Sequence, residues 1–280
     1  TLSSSSAASD VYKRQGVSAL AARARAGLAH AVLAVAGARI HASGPDGAEE
    51  AEITRERLAA LLPRQAVFYA NHTSHLDFVT LWAVLPPALQ RRVRPVAAAD
   101  YWGSGLRRRV AEGLFHAYLV ERGKTRRRGP GAASGSGVSP DGGSQLEGML
   151  EILAGGDSLI IFPEGTRGSG EDVARFQRGL HALAAAFPQV PVVPVSLVNL
   201  GRILPKGEPI PVPHLSTVRF HPPLDPPEPA RPPGPGAPAS GTAATDAPEP
   251  GRGEDEAART AWLERARAVL VQDLSASLRG

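Results

Sequence analysis

With 280 residues and 42% hydrophobic content, the chain is long enough for one sizeable α/β domain with decorations, or for two small domains. It has no cysteine, which excludes a disulfide framework, a thiol nucleophile and a thiolate metal site. The formal charge is +4 and the isoelectric point about 9.8, with arginine supplying nearly all the cations, so anionic partners such as phosphates, CoA or lipid headgroups suit it.

Residues 5–15, Ser-Ser-Ala-Ala-Ser-Asp-Val-Tyr-Lys-Arg-Gln, resemble the in-frame translation of a transposase-based sequencing adapter. Residues 1–15 are therefore read as non-native, with the true N-terminus expected to be missing. Residues 16–40 are alanine-rich and predict a helix, either packed on the domain or lying on a membrane surface, and too weakly apolar to span a bilayer. Residues 41–53 read as a polar loop and 54–62 as a short helix. An apolar, aromatic and β-branched run at 66–70 predicts a buried strand, and 78–85 an apolar helix stopped by Pro86 and Pro87.

A second strand is expected at 93–99, an arginine-studded helix at 105–114 and a third strand at 116–122. Residues 125–144 are rich in Gly, Ser and Pro after a basic run and read as a flexible loop. A helix at 145–153 closes at Gly155 and Gly156, and a strand spans 157–162. A helix beginning near 176 runs to Phe187. The strand at 190–197 carries Pro191 and Pro194, which predicts an edge or a strand start instead of a central position. A short strand at 217–221 precedes a Pro/Ala/Gly-crowded disordered linker at 222–256. Residues 257–278 form a last amphipathic helix with Trp262, Leu263, Val269, Leu270 and Leu274 on one face. Strands alternating with helices give an α/β fold class: a mixed, mainly parallel sheet flanked by helices, with ligands at the carboxyl ends of its strands. The core domain is expected over 54–221, preceded by an N-terminal helix and loop at 16–53.

Two of the strand ends carry chemistry. Asn71-His72-Thr73-Ser74-His75-Leu76-Asp77 follows the first strand. On a continuous helix, positions five apart lie about 140° apart and their side chains diverge. Ser74 offers an N-cap, and Ser74-x-x-Asp77 has the capping-box pattern with a shorter acid, so Asp77 falls in the first helical turn and His72 in the loop before it. From there the carboxylate can fold back onto one imidazole nitrogen, fix the tautomer and leave the other nitrogen to accept a proton. The bland alternative is a helix cap beside a loop histidine. His72, His75 and Asp77 are also metal-ligand types, although no partner cluster is visible elsewhere. Ser74 lies too near both histidines to serve as a hydrolase nucleophile, and the chain has no Gly-x-Ser-x-Gly elbow. The second stretch, Phe162-Pro163-Glu164-Gly165-Thr166-Arg167, delivers a carboxylate, a glycine and an arginine to a strand end. Glycine allows close backbone approach and arginine a planar fork matched to phosphate. Taken alone, Pro-Glu-Gly is also an ordinary β-turn.

Together these residues resemble the lysophospholipid acyltransferases typified by 1-acylglycerol-3-phosphate acyltransferase. Four blocks match in order: Asn71-His72-x4-Asp77, residues 113–122 ending Leu119-Val120-Glu121-Arg122, Phe162-Pro163-Glu164-Gly165-Thr166-Arg167, and Val190-Pro191-Val192-Val193-Pro194-Val195. The resemblance implies acyl transfer from acyl-CoA or acyl carrier protein to a lysophospholipid hydroxyl, without an acyl-enzyme intermediate and with no cofactor or metal. It makes His72 the base and Asp77 its orienter, and assigns Arg122, Glu164, Gly165, Thr166 and Arg167 to the acceptor site. The sequence departs from the family at Leu119-Val120, where Phe-Ile is common, and at Ala97-Ala98-Ala99-Asp100, where many members carry lysines. These departures bear on the acceptor, for which a lyso-ornithine lipid is an alternative to 1-acylglycerol-3-phosphate. A non-catalytic lipid-binding homologue and a metallohydrolase are the competing classes.

The expected partners are the lysophospholipid, the acyl donor and a membrane surface, at the cytoplasmic face and peripheral. Nucleic acid is not expected: no recognisable module is present and aromatics are only 5% of the chain. High Ala, Arg, Gly and Pro with little Lys suggests a GC-rich bacterial source.

Overall fold

The structure is a computed structural model that describes residues 23, 25–43, 49–50, 52–102, 104–120, 140–168, 170, 172–203, 212, 214–228 and 252–277. Helix α1 (residues 25–36) leads into β1 (Ala38–Ser43) and β2 (Glu49–Glu50). Then come α2 (Arg55–Leu61), β3 (Val67–Ala70), α3 (Asp77–Val84), α4 (Pro87–Gln90) and β4 (Val93–Ala98). Next are α5 (Ala99–Trp102), α6 (Gly105–Gly113), β5 (Tyr118–Val120), α7 (Pro140–Ala154) and β6 (Ser158–Ile161). The chain closes with α8 (Gly179–Ala186), β7 (Val192–Val198), α9 (Leu200–Ile203), β8 (Ser216–Phe220) and α10 (Arg252–Ser277).

The strands form one eight-stranded sheet in the order β2-β1-β8-β7-β3-β6-β4-β5. Pairing is parallel except between β7 and β8 and between β1 and β2, so the expected mixed, mainly parallel α/β architecture is present. Residues alternate between faces of a strand, and β3 uses both. Phe68 and Ala70 join a core with α3 and α1, while Val67 and Tyr69 join one with α8 and α10. Every residue of β3 and β6 is buried, as near-continuous apolar strands covered on both faces require.

Several expectations are corrected. The predicted helix to residue 40 stops at 36, because Gly37 takes φ +48 and the following alternation of buried and open positions lets Ala38–Ser43 pair with β8. The polar loop at 41–53 accordingly contains the end of β1 and the short β2. Strand β7 is central, lying between β3 and β8. Pro194 is tolerated there because its carbonyl accepts from His221 N (3.0 Å) at a point where the β8 side carries an extra residue before the Val192–Leu224 bridge. At such a bulge no ladder N–H is demanded of the proline. Helix α7 begins at Pro140, inside the segment read as a flexible loop, with proline in a first-turn position that needs no N–H.

The linker is also narrower than 222–256. Leu224 bridges β7, Asp225 accepts from Trp262 Nε1 (2.9 Å), and α10 already begins at Arg252. Residues 229–251 lie outside the described residues, as do 1–22 and 121–139. On α10, Trp262, Leu263, Leu270 and Leu274 are buried as expected, while Ala266 and not Val269 completes the face. Among the described residues, no helix is long and apolar enough to cross a membrane.

Candidate active site

The carboxyl end of β3 is fastened before it delivers any chemistry. Asn71 is buried, and its side chain donates to Leu197 O and accepts from Leu197 N, both at 2.8 Å. This extends the β3–β7 pairing by one residue with an amide side chain in place of backbone. The chain then turns into α3, whose first residue is Asp77. One half of the anticipated capping pattern forms: Asp77 Oδ2 accepts from Ser74 N at 2.7 Å. Ser74 itself is not the N-cap. Its hydroxyl accepts from Leu76 N at 3.3 Å, and Leu76, already helical in φ and ψ, precedes the helix without a side-chain cap.

Asp77 is 0% exposed, and its Oδ2 also accepts from Thr73 N at 2.6 Å and meets His72 Nδ1 at 2.9 Å. A carboxylate only accepts, so Nδ1 carries the proton and Nε2 of the neutral ring holds a lone pair. Among the described residues Nε2 has no hydrogen-bond partner. The two side chains meet, as the spacing anticipated, in a geometry that leaves Nε2 able to accept a proton.

The carboxyl end of β6 builds the other wall. Phe162 stacks on the His72 ring, with centroids 4.4 Å apart and planes inclined by 25°. Gly165 takes φ +71 to close the turn, in which its N–H donates to Phe162 O at 3.0 Å. Glu164 is buried, with Oε1 accepting from His72 N (2.7 Å) and Oε2 from Ala174 N (2.8 Å). Burial pushes its carboxyl above the usual range, and the backbone N–H groups of Ala174 and His72 oppose that shift. Gly168 N donates to His72 O at 2.8 Å, so both backbone polar groups of His72 are held by the segment after β6.

A cavity of about 490 Å³ opens beside this pair. His72, Phe78, Trp102, Leu180 and Leu183 give it a mostly apolar wall, and Gly165 and Arg167 line it near the histidine loop. Among the described residues Arg167 has no ion-pair or hydrogen-bond partner. Thr166 is exposed and lies outside the lining, and Arg122 falls outside the described residues. His75 lines the cavity, and no group of three His, Cys, Asp or Glu among the described residues is placed to hold a metal ion. Sequence reasoning missed the Phe162 stack, the Asn71 clasp and the backbone partners of Glu164. The aromatic residue directly before Pro-Glu-Gly was the only visible signal for any of them.

A family model described as Acyltransferase matches residues 52–198, more than half of the chain and inclusive of both loops. The chain belongs to the Acyltransferase family. Among curated relatives, the chloroplastic 1-acyl-sn-glycerol-3-phosphate acyltransferase LPAT1 of Arabidopsis thaliana is 29% identical over 149 residues, 51% of this chain and 34% of the relative. The chloroplastic 1-acyl-sn-glycerol-3-phosphate acyltransferase BAT2 of Brassica napus is 39% identical over 62 residues, 22% of this chain and 18% of that protein. The chain thus spans less than half the length of the curated relatives it matches. This acyltransferase-family chain shares its fold with the crystal structure of the 1-acyl-sn-glycerophosphate acyltransferase PlsC from Thermotoga maritima. The TM-score is 0.56 at 17% identity, covering 91% of this chain and 80% of that one.

Proposed function

We propose that the protein transfers an acyl group from a thioester donor, acyl-CoA or acyl carrier protein, to the free hydroxyl of a lysophospholipid, with 1-acylglycerol-3-phosphate as the acceptor. The observation that carries this reading is the Nε2, without a partner among the described residues, of a His72 ring that Asp77 holds at Nδ1, set in the wall of a largely apolar cavity that Arg167 also lines. An alcohol is a weak nucleophile until a base takes its proton, an effect worth roughly 10²- to 10⁴-fold. In the proposed cycle His72 Nε2 removes the acceptor's hydroxyl proton as the oxygen attacks the thioester carbonyl. The tetrahedral intermediate collapses, the carbon–sulfur bond breaks, and the imidazolium returns its proton to the departing thiolate. Asp77 stabilises the imidazolium through Nδ1. Arg167, with Gly165 and Thr166 beside it and Arg122 contributed from outside the described residues, receives the acceptor phosphate. The proposed cycle needs no cofactor, and a lipid acceptor with a water-soluble CoA or carrier-protein donor implies work at a membrane surface, on its cytoplasmic face.

The test is transfer of a labelled long-chain acyl group from its CoA thioester to 1-acylglycerol-3-phosphate in detergent with EDTA present, comparing wild type with His72→Ala and His75→Ala. Phosphatidic acid formed by wild type and by His75→Ala but not by His72→Ala is the expected result. Product on a lyso-ornithine lipid alone would move the acceptor. Failure with a panel of lysolipids and both donor types would sink the acyl-transfer reading.

A further inference from the structure

Glu164 sits in the stretch that the sequence assigns to the acceptor, yet its carboxylate is engaged elsewhere. The residue is 4% exposed and is absent from the cavity lining, where its neighbours Pro163 and Gly165 both appear. Each carboxylate oxygen accepts one backbone N–H, Oε1 from His72 at 2.7 Å and Oε2 from Ala174 at 2.8 Å. An ionised carboxylate has no donor to offer a phosphate, and its charge repels one. A buried carboxylate is also costly to keep ionised unless hydrogen bonds compensate it. The two N–H groups supply part of that compensation, and one of them belongs to the residue that carries the base.

We propose that Glu164 is a positioning residue for His72, fixing the main chain of the base to the segment after β6, and not a ligand of the acceptor. The proposal rests on the reading of His72 as base. Three contacts converge on one residue: Glu164 holds His72 N, Gly168 N holds His72 O at 2.8 Å, and Phe162 backs the ring. Asp77 then sets the rotation of a ring whose anchor is already fixed. Ala174 ties the far side, and Gln177 N, donating to Pro163 O at 2.8 Å, seats the same segment against the turn. Displacement of a reacting group by about 1 Å can cost as much as 10²-fold in rate. Loosening this clamp therefore acts on kcat, whereas loss of an acceptor ligand acts on KM.

Glu164→Gln is the informative variant, because an amide keeps the length and one acceptor oxygen but turns an NH2 group toward one of the two backbone donors. Expected are a kcat lower by about 10- to 100-fold, a KM for 1-acylglycerol-3-phosphate within about twofold of wild type, and an unchanged far-ultraviolet circular dichroism spectrum. A KM raised tenfold or more with kcat preserved would overturn the proposal. Nuclear magnetic resonance of the wild-type protein provides an arm independent of turnover and of the variant's folding. On titration with 1-acylglycerol-3-phosphate, the Glu164 carboxyl carbon is expected to stay in place while Arg167 side-chain signals move. A Glu164 carboxyl that follows the titration in step with Arg167 overturns the positioning role. In Glu164→Ala, which removes both acceptor oxygens, the His72 backbone amide is expected to exchange with solvent at least tenfold faster, a result that holds even if the acyl-transfer reading fails; unchanged exchange counts against the clamp.

Discussion

The ring of Phe162 lies nearly parallel to that of His72 at 4.4 Å, so the residue immediately after β6 is the floor on which the imidazole rests. An aromatic pair of this kind contributes about 0.5–1.5 kcal/mol beyond area burial. Phe162→Leu keeps apolar volume but removes the flat surface. Its kcat is expected to fall by roughly two- to tenfold with KM for the acceptor unchanged, while Phe162→Tyr stays close to wild type. Steady-state kinetics on the three proteins check this, and an unaffected Phe162→Leu would show that the stack does not hold the ring in its working orientation.

Three donors converge on Asp77 Oδ2: His72 Nδ1, Thr73 N and Ser74 N. An amide oxygen can occupy the same place and accept from all three, so Asp77→Asn is expected to fold with a melting temperature within a few degrees of wild type. What the amide lacks is the charge that stabilises the imidazolium. The expected kcat is lower by at least about a hundredfold, measured in the same transfer assay beside a thermal melt. A variant that melts normally and turns over normally would remove Asp77 from the mechanism.

How far the sequence reaches depends on separation along the chain. The pairing of His72 with Asp77 spans five positions and was readable once Ser74 marked a turn, even though Leu76 and not Ser74 precedes the helix. The hydrogen bond from His72 N to Glu164 spans 92 positions and that between Asn71 and Leu197 126, and no local pattern encodes either. Each exists because parallel pairing brings the ends of β3, β6 and β7 together. The edge position expected for β7 has a related cause: a proline's own missing N–H argues against a central strand, whereas the bulge that excuses Pro194 is made by residues after β8. Strand β1 stayed hidden because Ala38, Arg39 and Ile40 continue an alanine-rich helical run, and only Gly37 and the β8 partner stop it.

Asn71 uses its oxygen and its nitrogen on the backbone of Leu197, and it is 2% exposed. Asn71→Asp keeps the shape but cannot donate, so Leu197 O loses its partner and a charge is buried. An unsatisfied buried group costs about 1–3 kcal/mol and more when charged, so urea unfolding is expected to show at least about 2 kcal/mol of destabilisation. Asn71→Ala, with no charge to bury, is expected to lose less. If Asn71→Asp matched wild type, the clasp would contribute nothing to holding the histidine loop.

Away from the candidate active site, acid sensitivity is expected from His221, which is packed between β7 and α10. Its Nε2 lies 2.8 Å from Ser196 Oγ and 3.8 Å from Asp273 Oδ2, with Arg219 beside the same carboxylate. Burial holds the His221 pKa below its ordinary value of 6.5; Asp273 opposes that shift and Arg219 adds to it. The unfolded chain therefore takes up the proton first as pH falls. The stability from a neutral buried histidine is complete above about pH 6.5 and is lost as pH drops from there toward the folded-state pKa. His41, His116 and His181 are shifted the same way, each chiefly by burial. Melting temperature is thus expected to be level at neutral pH and to decline below about pH 6.5. His221→Gln, which still offers Ser196 an acceptor, is expected to make that decline shallower without abolishing it, because the other three histidines remain. Thermal melts at half-unit pH steps on both proteins decide it, and an identical slope in the variant would mean that His221 protonation does not report on folding.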